Sequence, residues 1–113
     1  MRIERELMRG AGPVAIMQLL AERERYGYEL AAALNTRSEG VLAMGHSTLY
    51  PLLYNLEAKE LIVGKWRDAE SGRERKYYAL TPRGRAHLTE QRKQWRAVSA
   101  AMIRLGVLTP RTT

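Results

Sequence analysis

Residues 46–59 carry small polar and aromatic side chains at a spacing that a helix would gather on one face. At 100° per residue, Tyr54 and Asn55 fall opposite an apolar stripe formed by the leucines at 49, 52, 53 and 56. Hydroxyl and amide groups can bond base edges and phosphates, and the free N–H groups of a first helical turn attract phosphate. The alternative is an amphipathic core helix whose outer face is incidental, but an uncharged polar and aromatic face is unusual for a surface whose only role is solvation. We therefore predict nucleic-acid contacts from Ser47, Thr48, Tyr50, Tyr54 and Asn55, with Tyr50 equally placed to be a boundary core residue.

Basic side chains accumulate on two β-rich runs, residues 61–67 and 75–81, which the turn-forming residues 68–74 separate. This pattern is typical of a β-hairpin, with Gly72 as the turn residue of positive φ. Such a charge run is often only a solvated face, but two basic strands in one hairpin favour phosphate contacts. Tyr77 and Tyr78 alternate, so one ring should face the core and the other the surface. We predict phosphate contacts from Lys65, Arg67, Arg73, Arg75 and Lys76.

Patterns for catalysis or metal binding are missing from the sequence. It has no cysteine, two histidines (His46 and His87) and one aspartate, Asp68, in the predicted hairpin turn. No phosphate loop, metal-ligand spacing or nucleophile and base pair is recognisable. We expect neither an enzyme nor a bound metal or cofactor. The lack of cysteine also fits a reducing compartment.

Composition and charge point to one globular domain with a polyanionic partner. The chain has 113 residues, 45% of them hydrophobic and 27% charged, which is close to globular averages. The net charge is +7 and the sequence pI is about 10.1. Residues 1–58 hold six basic and seven acidic side chains, whereas residues 59–113 hold thirteen and five, so the positive excess belongs to one half. The longest mainly apolar stretch, residues 13–21, is too short for a membrane span, and we expect a soluble cytoplasmic protein.

The remaining elements follow from periodicity and from helix start and stop signals. Gly10, Gly12 and Pro13 should break a short first helix, after which residues 13–23 and 26–35 form two helices and residues 36–45 a loop. The third helix begins at residue 46 or 47 and ends near residue 59. Thr81 and Pro82 start a last helix that reaches Leu105. This order predicts a mainly α (α+β) fold: a winged helix-turn-helix with a two-stranded β wing and a long C-terminal helix.

Several motifs in unbroken order carry a family resemblance. They are YGYEL at residues 26–30, STLYPLL at 47–53, LE at 56–57, RKYYALT at 75–81, and Gly84. Together they resemble the PadR family of bacterial transcriptional regulators over roughly residues 7–105, and the length is similar to the short subfamily with one C-terminal dimerisation helix. MarR-like and ArsR-like winged helices match these motifs less well. The resemblance implies a DNA-binding domain at residues 1–81 and a dimerisation helix with a tail at 82–113.

The last predicted helix has an apolar face that the DNA-binding domain of residues 1–81, which we call the head, is too small to cover. Its 24 or so residues would extend ~36 Å. A two-fold dimer would bury the part of the stripe that a monomer leaves exposed. The predicted dimerisation residues are Leu88, Trp95, Val98, Met102 and Leu105.

Trp95 also resembles the dimer-interface tryptophan that stacks on flat aromatic ligands in multidrug-binding members of the short subfamily. Gln91 and Ser99 lie one helical turn before and after it and could orient such a ligand. Most aromatic residues on a helix stripe are simply core, which is the alternative for Trp95.

The sequence thus predicts a DNA-binding transcriptional regulator. It would act as a homodimeric repressor on a pseudo-palindromic operator and be released by a small aromatic effector. The alternative is a winged helix that mediates only protein–protein contacts, because a fold does not fix a function.

Overall fold

The computed structural model describes residues 1–68 and 70–110, and it has the predicted winged helix-turn-helix architecture. Three helices precede an antiparallel hairpin, a short extra strand completes a three-stranded sheet of order β1-β3-β2, and a long helix closes the chain. The elements are α1 (Arg5–Glu22), β1 (Arg25–Tyr26), α2 (Gly27–Arg37), α3 (His46–Ala58), β2 (Ile62–Asp68), β3 (Glu74–Leu80) and α4 (Pro82–Leu105). Within the described residues, none of these helices combines the length and apolarity needed to cross a membrane.

One core holds the helices and the sheet together. Ile16 of α1, Leu30 of α2, and Leu49 and Leu53 of α3 have no exposed surface. The sheet adds Ile62 and Tyr78, each 2% exposed. The apolar face predicted for residues 46–59 therefore points into the core, and the opposite face of α3 is exposed to solvent.

The expected break in the first helix was wrong, because α1 runs without interruption through Pro13. Proline removes one backbone hydrogen bond, whereas α1 buries Ile16, Met17, Leu19 and Leu20 beyond it. Gly12 is itself buried: a Cβ there would lie 3.1 Å from Leu52 Cδ1. Gly12 allows close packing against Leu52, and Gly10 lies at an open surface. Neither glycine ends the helix.

A third strand, β1, joins the sheet, for which only the two strands of the hairpin were predicted. Arg25 pairs with Tyr78, and Tyr26 pairs with Tyr77. Arg25 is only 8% exposed. Its Nε donates to the Leu19 carbonyl at 3.3 Å and its Nη2 lies 3.2 Å from Glu22 Oε1. The buried guanidinium is thus satisfied by the end of α1.

The hairpin forms as predicted, with boundaries one residue later in β2 and one residue earlier in β3. Gly64 lies opposite Tyr78, and Lys65 opposite Tyr77. Gly72 has a φ of +82°, the left-handed conformation that the turn requires. Residue 69 of the predicted turn lies outside the described residues.

Helix α4 starts and stops at the predicted signals. Thr81 Oγ1 accepts a hydrogen bond from the Gly84 N–H at 2.9 Å, and Gly106 at the other end has a φ of +86°. The first turns pack on the head, and Arg92 Nε donates to Gln18 Oε1 at 3.1 Å. The later turns are mostly exposed, in a molecule 53 Å long and about 30 Å wide. Residues 111–113 of the predicted tail lie outside the described residues.

We expect Gly84→Ala to destabilise the fold. A Cβ there would lie 2.0 Å from the Leu61 carbonyl oxygen, which is backbone and cannot rotate away. Overpacking of this kind should cost about 2–3 kcal/mol. Gly10→Ala is the matched control, since nothing lies within 4 Å of its added Cβ and helix propensity should give about 0.5–1 kcal/mol of stabilisation. Chemical denaturation measures both, and equal effects would contradict the argument.

Candidate nucleic-acid interface

The outer face of α3 is exposed where the sequence predicted contacts. Ser47, Thr48, Tyr54 and Asn55 all lie at the surface, and Tyr54 is 60% exposed. Their hydroxyl and amide groups project away from Leu49, Leu53 and the rest of the core. This face can therefore offer donors and acceptors to base edges and phosphates.

Tyr50 is half-buried and packs α3 against the start of α2. A Cβ on Gly27 would lie 2.5 Å from the Tyr50 hydroxyl oxygen, so the absence of a side chain at Gly27 makes room for the phenol. The His46 ring stacks on the Tyr50 ring with centroids 5.5 Å apart. This geometry favours the packing role for Tyr50 over a contact with DNA.

The hairpin, which we call the wing (residues 62–80), divides its side chains between two faces. Strand alternation and the β2–β3 register place Lys65, Arg67, Arg75 and Tyr77 on the outer face. The inner face carries Trp66, Lys76 and Tyr78. Tyr78 is the buried ring and Tyr77 the half-buried one, which resolves the alternation that the sequence left open.

Arginine and tyrosine side chains stack along the outer face of the wing. Arg67 Cζ lies 4.7 Å from the Tyr77 ring centroid, and Arg75 Cζ lies 4.5 Å from the Tyr26 centroid. The two rings meet edge to face at 5.4 Å. We call these four side chains the arginine–tyrosine stack. It holds two guanidinium groups at fixed positions beside the helix-turn-helix.

The basic residues of the wing differ in how far their charge is already neutralised. Arg67 forms an ion pair with Glu24, and Lys76 Nζ lies 2.9 Å from Glu57 Oε1. Lys65 and Arg73 are exposed, and neither forms an ion pair with another described residue. Arg75 also forms no ion pair with another described residue, but it is half-buried and stacks on the Tyr26 ring. Lys65 and Arg73 are therefore the predicted phosphate contacts with the most accessible charge.

Two exposed aromatic side chains beside α3 were missing from the predicted site. Tyr28 is 67% exposed and Trp66 is 66% exposed. Both line the recess between α3 and the wing, together with Tyr54. Tyr28 belongs to the YGYEL motif. Trp66 lies two residues from Gly64 and therefore on the same face of β2. Motif membership and strand alternation could thus have indicated both residues.

Tyr78 lies at the junction of the wing and α3. Burial raises the pKa of its phenol to about 12, and the nearby Glu57 carboxylate adds to the shift. The phenol therefore stays neutral up to strongly alkaline pH in the folded protein.

The C-terminal part of α4 exposes an apolar stripe. Trp95 is 41% exposed, Val98 51%, Met102 37% and Leu105 77%. The prediction of Leu88 as a dimerisation residue was wrong. Leu88 is only 2% exposed and packs in the core of its own head, so it has no surface to offer a partner. The exposed set also includes Ile103, Val107 and Leu108, which the prediction left out.

The residues proposed to bind an effector lie along this part of α4. Gln91 is half-buried, and Trp95 and Ser99 are exposed. In the described part of the chain, no cluster of three or more His, Cys, Asp or Glu side chains could hold a metal ion.

A helix-turn-helix whose second helix is exposed beside a basic hairpin defines the winged-helix class of DNA-binding regulators. Residues 16–90 match the family profile described as "Transcriptional regulator PadR-like family". This chain belongs to the PadR-like family of transcriptional regulators, as its motifs predicted.

Individual relatives agree with this assignment. A transcriptional regulator of Mycobacterium tuberculosis is 39% identical over 89 residues, which are 79% of this chain and 79% of that protein. A solved Streptococcus transcriptional regulator is 30% identical with a TM-score of 0.80, covering 91% of this chain and 99% of its own. A PadR-like transcriptional regulator from Bacillus cereus is 31% identical with a TM-score of 0.78, covering 88% and 95%.

We expect a stability loss between about pH 10 and 12 that depends on Tyr78. Its folded pKa, about 12, is above the ordinary value of 10.0. The unfolded chain therefore releases this proton first, and the free energy of unfolding falls as pH rises through that window, by roughly 1–3 kcal/mol. Tyr78→Phe should remove this part of the slope, whereas Tyr28→Phe, at an exposed ring, should retain it. Denaturation midpoints at pH 9 to 12 measure the difference, and identical slopes would refute the expectation.

Proposed function

We propose that this regulator binds a pseudo-palindromic operator as a homodimer and represses transcription, acting in the cytoplasm. The observation that carries the proposal is the polar outer face of α3 beside a wing whose exposed lysine and arginine side chains can reach phosphates. The surplus of positive charge in residues 59–113, which include the wing, supports the same reading. In this proposal residues 1–81 read DNA and residues 82–113 hold the dimer together.

The exposed stripe on α4 supports the dimer. Its apolar side chains, among them Trp95, Val98 and Leu105, form a continuous face along one helix. Single exposed apolar residues are ordinary, but a continuous face of this kind marks an interaction site. A two-fold axis through paired α4 helices would place two winged heads on one side of DNA, with half-sites ~34–36 Å apart or a multiple of that.

Repression is the part of the proposal in which the bound dimer blocks a promoter. Two heads that fill successive major grooves would occupy a promoter and exclude polymerase. An effector between the two α4 helices would relieve this by binding more tightly to a dimer whose heads are wrongly spaced for the half-sites. Trp95 offers the flat surface, and Gln91 and Ser99 offer the polar groups.

Selection of bound DNA from a random pool tests the proposal. The expected product is an inverted repeat, and sedimentation should show a dimer at micromolar concentration with and without that DNA. A stable monomer would remove the dimer. If no sequence is enriched at low salt, the alternative of a protein–protein interaction module takes its place.

We expect Lys65→Met and Arg73→Met to weaken binding to all DNA sequences alike. Each lost phosphate contact should reduce the slope of log K against log salt by about 0.9. Lys93→Met, at an exposed lysine of α4, is the matched control and should retain the wild-type slope. Asn55→Ala should instead change the preferred sequence, by about 1–3 kcal/mol at one base pair. An unchanged salt slope for a wing variant would remove that residue from the phosphate contacts.

We expect planar aromatic compounds to quench the fluorescence of Trp95. The measurement uses Trp66→Phe protein, which leaves Trp95 as the only tryptophan. Saturable quenching and a matching fall in operator affinity would support an effector site. If Trp95→Ala protein stays dimeric and its DNA binding responds to the same compounds as strongly as wild type, Trp95 is a packing residue only.

A further inference from the structure

A half-buried ion pair joins the recognition helix α3 to the wing. Lys76 Nζ of β3 lies 2.9 Å from Glu57 Oε1 of α3, and the two side chains are 24% and 25% exposed. The same ammonium lies 5.8 Å from the Tyr54 ring centroid and 5.3 Å from that of Tyr78. Lys76 therefore points back into the head, with one acidic and two aromatic neighbours.

Gly64 makes this position of Lys76 available. It lies on β2 opposite Tyr78, on the inner face of the wing. A Cβ at Gly64 would lie 2.3 Å from Lys76 Cε and 3.3 Å from Glu57 Oε2. The lysine chain thus runs across the glycine to reach the carboxylate, and any side chain at position 64 would displace it.

The charge of Lys76 is already neutralised in the free protein. Contact with a phosphate would require the ammonium to leave Glu57 and both aromatic rings, and a half-buried carboxylate without its partner is costly. Lys65, on the outer face of the neighbouring strand, is exposed and has no such restraint.

We propose that Gly64, Lys76 and Glu57 form a latch that fixes the wing against α3. Lys76 is then a positioning residue, which holds the orientation of the wing and of the Tyr54 ring, and it does not neutralise phosphate. The role in DNA reading rests on the proposed function. A fixed wing and Tyr54 ring favour the operator over other DNA, because base contacts need a defined geometry whereas phosphate attraction does not.

Gly64→Ala opens the latch without removing a charge. The atoms it crowds, Lys76 Cε at 2.3 Å, Lys76 Cγ at 3.2 Å and Glu57 Oε2 at 3.3 Å, all belong to flexible side chains and none to the backbone. The fold should therefore remain intact, with a melting temperature close to that of wild type. Gly64→Ala and Lys76→Met should each lower the ratio of operator affinity to random-sequence affinity, on the order of 3- to 10-fold. The two changes together should lower it no further than Lys76→Met alone.

The salt dependence separates the latch from a phosphate contact. Lys76→Met should retain the wild-type slope of log K against log salt, whereas Lys65→Met, the matched control, should reduce it by about 0.9. If Lys76→Met reduces the slope as Lys65→Met does and retains discrimination, Lys76 is a phosphate contact and the latch is overturned.

Exchange of the two charges gives a second test. The double variant Glu57→Lys with Lys76→Glu places an acid on the wing, which would repel phosphate, but it restores the ion pair. Recovery of discrimination relative to either single variant is expected, and failure to recover it would count against the latch.

A measurement without DNA keeps the latch and the proposed function separate. Backbone residual dipolar couplings report the orientation of the wing relative to α3. They should change in Gly64→Ala and Lys76→Met proteins and return toward wild type in the charge exchange. An unchanged orientation in both variants overturns the latch whatever the DNA results are. If the orientation changes as expected but wild type binds no DNA, the latch stands as a structural device and the proposed function fails.

Discussion

The central position of β3 in the sheet is the constraint on which the interface depends. This strand pairs with β1 on one side and with β2 on the other, and the buried ring of Tyr78 lies opposite both Arg25 and Gly64. Through β1, the strand fixes the start of α2. Through Thr81, which directly follows it, β3 fixes the start of α4. The helix-turn-helix, the wing and the closing helix are therefore all oriented by one seven-residue strand.

The sequence predicted the elements whose signals are local and repeated. Four leucines at helical spacing indicated which face of α3 is buried, and the face opposite them is exposed in the structure. Gly72 and the Thr81–Pro82 pair marked a turn and a helix start by their backbone preferences alone. Such preferences are properties of one or two residues, so no knowledge of tertiary packing was needed.

The features that the sequence did not reveal all depend on tertiary contacts. Pro13 reads as a helix start, yet the apolar residues that follow it are buried strongly enough for the helix to pass through it. Strand β1 has two residues and therefore no alternation to recognise. Leu88 has the same periodicity as Trp95, and only the packing of α4 on the head separates a core leucine from an exposed stripe.

Charge pairing was hidden for the same reason. In the sequence, Lys65 and Lys76 are equivalent members of a basic hairpin. The strand register places them on opposite faces of the sheet, and Glu57, distant in sequence, neutralises only Lys76. The number of basic residues in the wing is therefore larger than the number of charges that it presents to solvent.

The arginine–tyrosine stack has a consequence for the entropy of binding. A free arginine side chain loses about 0.5–1.5 kcal/mol of rotational freedom when a partner immobilises it. Arg67 and Arg75 already rest on tyrosine rings at 4.7 and 4.5 Å, so much of that loss occurs when the protein folds. A polyanion that meets this face would encounter guanidinium groups already held in place, although Arg67 would have to exchange Glu24 for a phosphate. The favourable entropy of released counterions would then be offset less by the ordering of these two side chains.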